Sequence, residues 1–135
     1  IISSIKIAND LERIGDNASN IAEVRKRVRI SDEYLLMKLR TMEKLALLML
    51  ADLHHASEND DVVLLNEIIM RDSDIDELFR DIINSSKLID NDPFVSNQAN
   101  LVAKYLERIG DHICNIAESV YYIKTGTRFE IQEEK

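Results

Sequence analysis

The segments LERIGDNASNIAE, Leu11–Glu23, and LERIGDHICNIAE, Leu106–Glu118, agree at ten of thirteen positions and lie 95 residues apart. Around the first copy the apolar residues Ile5, Leu11, Ile14, Ala18, Ile21 and Val28 recur at helical spacing, so the segment belongs to an amphipathic helix. Writing one helix twice in so short a chain predicts a repeated unit rather than a plain four-helix bundle. The offset maps Ile1 onto Ser96, close to the start of the last helix. One unit is therefore three helices, two leading in and one carrying the motif. Only the second unit is complete, and the first is represented by its last helix. If the units are alike, about 65 residues of lead-in belong upstream of Ile1.

The chain between and around the copies is also helical. Hydrophobic residues make up 45% of it, with only three Gly and one Pro, which is too apolar for disorder and too poor in turn formers for an all-β fold. The first helix runs to about Val28. Ser31, followed by Asp32 and Glu33, reads as the N-cap of a second helix that extends to about Ala56. Its middle, Leu45–Ala51, is apolar nearly all round and is expected to be the most buried helix of the protein. Ser57–Asp60 reads as a short turn, and a third helix spans about Asp61 to Ser85 with the seam Leu65, Ile68, Asp72, Ile75, Phe79, Ile82. Asp92-Pro93 caps a fourth helix that runs to about Lys124, with Gly126 just past its end. Short turns make successive helices antiparallel neighbours. The expected fold is all-α, an antiparallel bundle of long helices: residues 1–28 as the last helix of a truncated first unit, 31–126 as the complete second unit, and 127–135 as a charged tail.

The net charge of −8 and the lack of a basic stripe exclude a nucleic-acid footprint. The longest apolar run, Leu45–Ala51, is far short of a membrane span, and no signal peptide is visible. A lone Cys114 excludes an internal disulfide framework. A soluble, cytoplasmic protein is expected.

The motif carries its own cost. On a helical wheel Asp16, Ser19 and Glu23 fall within about 40° of Glu12, and Glu107, Asp111, Cys114 and Glu118 repeat the stripe. Like charges one turn apart disfavour a helix by about 0.2–0.5 kcal/mol, and a mid-helix glycine by about 1 kcal/mol. Gly15 and Gly110 add that second cost in both copies. A glycine lets another helix approach closely, and a multivalent cation turns carboxylate repulsion into attraction. Asp72 stands in the third helix's seam where Leu or Ile is expected, with Asp76 one turn on. Antiparallel packing of the third and fourth helices would bring Asp72, Asp76, Glu107 and Asp111 together, an all-oxygen set that suits hard cations. The bland alternative is a solvated acidic face, with Arg13 and Arg108 pairing to acids of a neighbouring helix. No Glu-x-x-His pair for a ferritin-like centre occurs, His54-His55 reads as surface, and His112 points about 100° from Asp111 and need not be a ligand. Cys114 has no evident His partner, and there is no phosphate-cradling glycine loop.

The duplicated Leu-Glu-Arg-Ile-Gly-Asp…Asn-Ile-Ala-Glu segment resembles the signature of the PhoU family of bacterial phosphate-uptake regulators. The run Arg71-Asp72-Ser73-Asp74-Ile75-Asp76 resembles the acidic stretch on the helix before that motif, and VYYIKTG, Val120–Gly126, the usual end of the second repeat. The resemblance implies two three-helix bundles in tandem, often dimeric, with iron, zinc, magnesium or manganese held on Glu/Asp-x-x-x-Asp motifs. Those motifs map onto Glu12 with Asp16 and onto Glu107 with Asp111. It further implies a non-enzymatic negative regulator of phosphate uptake and phosphate-starvation signalling, linking a phosphate ABC transporter to a sensor histidine kinase. Two alternatives are a cytosolic accessory domain of a sodium–phosphate cotransporter and a carboxylate-bridged metalloenzyme. With its lead-in helices missing, the first site lacks partner acids, whereas the site on Asp72, Asp76, Glu107 and Asp111 should be intact. The bare stripe Leu11, Ile14, Ala18, Ile21 must bury against something: packing on the other three helices or exchange with a second chain would both serve, and exchange or dimerisation is the favoured expectation. Phosphate itself is not evidently a ligand, and any phosphate binding is expected to go through metal, because the acidic face repels anions.

Overall fold

The computed structural model describes residues 2–87 and 93–128. Those residues form helices and turns, with five helical elements: α1 (Ile2–Arg27), α2 (Glu33–Asn59), α3 (Val62–Met70), α4 (Asp72–Ser86) and α5 (Pro93–Thr125). The α3 and α4 elements are one rod broken at Arg71, so the architecture is four rods, as the periodicity predicts.

The ends follow from local chemistry. Asp32, not Ser31, caps α2, its carboxylate accepting from the Leu35 N–H at 2.9 Å. Both are good cap residues, and the ionised one also meets the helix dipole. The α2 helix runs on through the polar stretch predicted as a turn and stops at Asp60, which adopts a left-handed φ of 54°. Asp61 then caps α3 by accepting from the Leu64 N–H. The expected Asp92 cap lies outside the described residues, as does most of the charged tail. Gly126, at φ 72°, ends α5 with its N–H on the Tyr122 carbonyl.

The break at Arg71 was not expected. The Arg71 N–H forks between the Glu67 and Ile68 carbonyls, and the Asp74 N–H reaches back only to Arg71, a tight 3₁₀-like turn. Asp72, Ser73 and Asp74 favour helix starts over helix interiors, so the chain restarts a helix there. The Arg71 guanidinium anchors the corner to Asp52 of α2.

The α2, α3–α4 and α5 rods enclose the core. Leu35, Met42, Met49, Leu65, Ile68, Ile75, Ile82 and Ile113 are fully buried there. The successive rods α2, α3–α4 and α5 alternate in direction: Arg71 meets Asp52 and Asp81 meets Lys38 across α2, while Ile68 meets Cys114 and Ile75 meets Gly110 across α5. Lys124 pairs with Asp60 and ties the end of α5 to the α2–α3 corner.

The most buried helix is α5, not α2. It packs on α2, α3 and α4 with one face and on α1 with the other, so it is enclosed from both sides. On α2, Leu47 and Leu48 are 58% and 53% exposed, because no rod covers the outer side of its apolar middle.

Among the described elements α1 packs on α5 alone, in its own chain. The two run antiparallel, with Asp10 beside His112. The seam of α1 is Ile7, Asp10, Ile14, Asn17, Ile21 and Val24, a run spaced alternately four and three. Of the stripe expected to be buried, Ile14 and Ile21 lie in this seam, while Leu11 and Ala18 stay exposed.

Candidate metal centre

The corner at Arg71 makes Asp72 the first residue of α4 and puts Asp76 one turn further on. Across from them, α5 presents Asp111. Asp72, Asp76 and Asp111 each offer a carboxylate oxygen, and these oxygens all lie within 4.8 Å of one another. The approach depends on Gly110. A Cβ there would stand 2.7 Å from Ile75 Cδ1 and 3.6 Å from Asp72 Oδ1, so α4 rests against bare backbone. The chain has placed three acids around a point that a larger residue would have held apart.

The electrostatics are unfavourable for the protein alone. Asp72 Oδ1 is buried and receives no hydrogen bond. Burial, and next the adjacent Asp111, push the Asp72 carboxyl up to about 7. Asp76 is raised by burial and then by Asp111 and Glu107. Burial also raises Asp111, while a hydrogen bond with Asp72 and the Lys104 charge oppose the rise. Asp72 and Asp111 are thus two adjacent carboxyls that both resist ionisation. Burial and the same acids also push the Cys114 thiol well above its usual range. Cys114 stays protonated and packs with its Sγ 3.6 Å from the Ile68 carbonyl.

An unpartnered carboxylate oxygen and three crowded acids fit a hard cation, which prefers oxygen ligands and would remove the repulsion. Asp72, Asp76 and Asp111 would hold it. Of the four acids expected to converge, Glu107 stands at the edge. It is close enough to raise Asp72 and Asp76, but its carboxylate is paired with Lys104 at 2.6 Å. Lys104 also lies over the Phe79 ring. The sequence reading missed Lys104, although its three-residue spacing from Glu107 is a legible helical pair.

The first copy has no such gathering. Glu12 and Asp16 are exposed, and no described acid converges on them. Gly15 has no atom within 4 Å of a Cβ placed on it. Arg13 and Arg108 do not form the ion pairs open to them with any described carboxylate. His112 turns away from the cluster, as its wheel position requires, and its Nδ1 lies 2.8 Å from Asp10 Oδ1. Asp10, buried in the α1–α5 seam, carried no sequence signal beyond its place in a four-and-three run. His54 is on the surface beside Glu58.

A family description, the PhoU domain, matches residues 1–24 and 39–120, most of the chain and both motif copies. This chain belongs to the PhoU family. The phosphate-specific transport system accessory protein PhoU homolog of Clostridium acetobutylicum is 33% identical over 98% of the chain and 63% of its own length. PhoU homolog 1 of Thermotoga maritima is 37% identical over 93% of the chain and 57% of its own length. The fold matches the crystal structure of the phosphate transport system regulatory protein PhoU from Streptococcus pneumoniae with a TM-score of 0.84 at 29% identity, covering 96% of this chain and 64% of that one. The chain thus spans less than two thirds of the PhoU proteins it matches. No helix among the described residues is long and apolar enough to cross a membrane.

Proposed function

We propose that this chain is a cytoplasmic, non-enzymatic regulator of phosphate uptake and phosphate-starvation signalling, and that a metal held on Asp72, Asp76 and Asp111 organises its contact surface. The observation that carries the metal reading is the buried, donorless Asp72 Oδ1 facing two other carboxylates across Gly110. Crowding of this kind is stable only with a shared proton or a cation, and a cation adds a rigid, charged point to the α4–α5 surface. Iron, manganese, magnesium or zinc are the candidates. Glu107 would join the set if it left Lys104. Glu12 and Asp16 occupy the equivalent places on α1 and would form a second centre only with acids supplied by another helix pair. The names of the relatives support a role beside a phosphate transport system. A phosphate ABC transporter and a sensor histidine kinase are the proposed partners. A homodimer, formed through the exposed face of α1, is the proposed assembly.

Elemental analysis of the untagged, desalted protein tests the centre. Near-stoichiometric metal is expected, lost in an Asp72→Ala/Asp111→Ala double variant and kept in a Glu12→Ala/Asp16→Ala variant. If wild-type protein carries no metal, and takes up none when it is supplied, the centre is refuted.

A further inference from the structure

A second polar site lies in the α1–α5 seam, on a different face of α5 from the carboxylate cluster. A groove of about 300 Å³ is lined by Arg13, Asp16, Asn17 and Asn20 of α1 and by Arg108 and His112 of α5. Arg13 and Arg108 are the same residue of the two repeat copies, and so are Asn17 and His112. Antiparallel packing of the two copies turns each pair toward a common opening. The result is two guanidiniums on one groove, without a carboxylate within 4.0 Å of either among the described residues.

In a chain of net charge −8 with 25 acidic residues, two arginines lining one groove without a described carboxylate partner stand out from their surroundings. Like charges gathered on one groove repel, and a shared anion removes that repulsion, just as a shared cation would at the aspartates. The other lining groups are oriented rather than loose. Asp10 holds the His112 ring through Nδ1. The Asn17 amide is fastened to the Arg13 carbonyl at 2.8 Å, fixing that turn of helix. Asn20 contributes an amide that makes no hydrogen bond to the described residues. Asp16 is the one acid in the lining, so the two arginines leave the wall net positive.

We propose that this groove binds a small inorganic oxyanion of the phosphate or sulfate type, held between the Arg13 and Arg108 guanidiniums with the Asn20 amide as a further donor. Guanidinium forks match the oxygen geometry of such anions. The volume lies at the bottom of the range for ligand pockets, about 300–1,000 Å³, and suits an ion rather than a nucleotide. The site is separate from the metal centre proposed on Asp72, Asp76 and Asp111 and does not rest on it.

The test uses the full chain stripped of metal, at low ionic strength, with arginine side-chain and amide resonances followed by NMR. Sodium phosphate and sodium sulfate are titrated in turn, with sodium chloride at matched ionic strength as reference. Saturable shifts at Arg13, Arg108 and Asn20 are expected with either oxyanion. An Arg13→Gln/Arg108→Gln double variant should bind at least about tenfold more weakly. Both arginines are exposed, so the urea midpoint of that variant should match wild type and separate lost binding from lost folding. The Asp72→Ala/Asp111→Ala variant should bind as wild type does. Shifts that chloride reproduces, or oxyanion binding that survives loss of both arginines, would overturn the proposal. So would binding lost in the aspartate variant instead.

Discussion

Leu106 and Leu11 are the same residue of the two motif copies, yet Leu106 is 7% exposed and Leu11 50%. The contrast extends along both helices. Gly110 is pressed by Ile75, while Gly15 faces open space. Asp111 joins Asp72 and Asp76, while Asp16 is part of no such three-acid group among the described residues. On α5 the face is covered by the α3–α4 rod; on α1 the equivalent face meets nothing among the described residues. One sequence therefore yields a core seam with a strained carboxylate cluster in one place and a solvent-facing stripe in the other. The motif specifies a helix and a pattern of faces. What those faces become depends on the rod laid across them.

The largest expected effect sharpens this contrast directly. Leu106→Ala should cost about 2–5 kcal/mol, because it opens a cavity under α4, whereas Leu11→Ala should stay within about 0.5 kcal/mol. Urea unfolding of both variants makes the comparison, and equal losses would show that the face of α1 is covered after all. The glycines come next and should differ in sign. Gly110→Val drives two methyl groups toward Ile75 and should destabilise by about 1–3 kcal/mol, but Gly15→Ala should stabilise by about 1 kcal/mol through helix propensity alone. A loss at Gly15 would mean that another surface packs there in solution, as the proposed dimer requires.

The smallest effect is electrostatic, since a half-exposed carboxylate is screened by solvent. The folded Asp72 carboxyl, raised to about 7, holds its proton over a range where the unfolded chain, near 3.8, has lost it. The folded state then binds more protons, so the stabilisation is present below about pH 4 and is lost as pH rises toward 7. In chelated protein the urea midpoint should fall across that window and level off above it. Asp72→Asn should flatten the slope, and bound metal should do the same by displacing the proton. A midpoint that rises with pH through this range in wild type, but not in Asp72→Asn, would contradict the raised carboxyl.

Much of this was legible in the residues. Helical spacing, the scarcity of Gly and Pro, and cap chemistry gave four rods and their approximate ends, because hydrogen bonding along a helix is local. The aspartate in an apolar seam marked the cluster for the same reason that buried acids are rare. Harder to see were the Asp32 cap beside an equally plausible Ser31, and the break at Arg71, which depends on an anchoring acid from another helix, Asp52. The burial of α5 rather than α2 was also hidden, since an apolar run shows what a helix can bury and not how many neighbours it has.

By itself, then, the sequence determined the helices, the duplicated faces and the identity of the acids, all of which follow from spacing along one chain. Only the tertiary structure decided which copy of the motif is covered, that Asp72, Asp76 and Asp111 meet beside Gly110, and that Arg13 and Arg108 face one groove with His112 turned to Asp10. Those outcomes depend on distances between residues on different helices, where burial and charge are set by which neighbour arrives rather than by the residue itself.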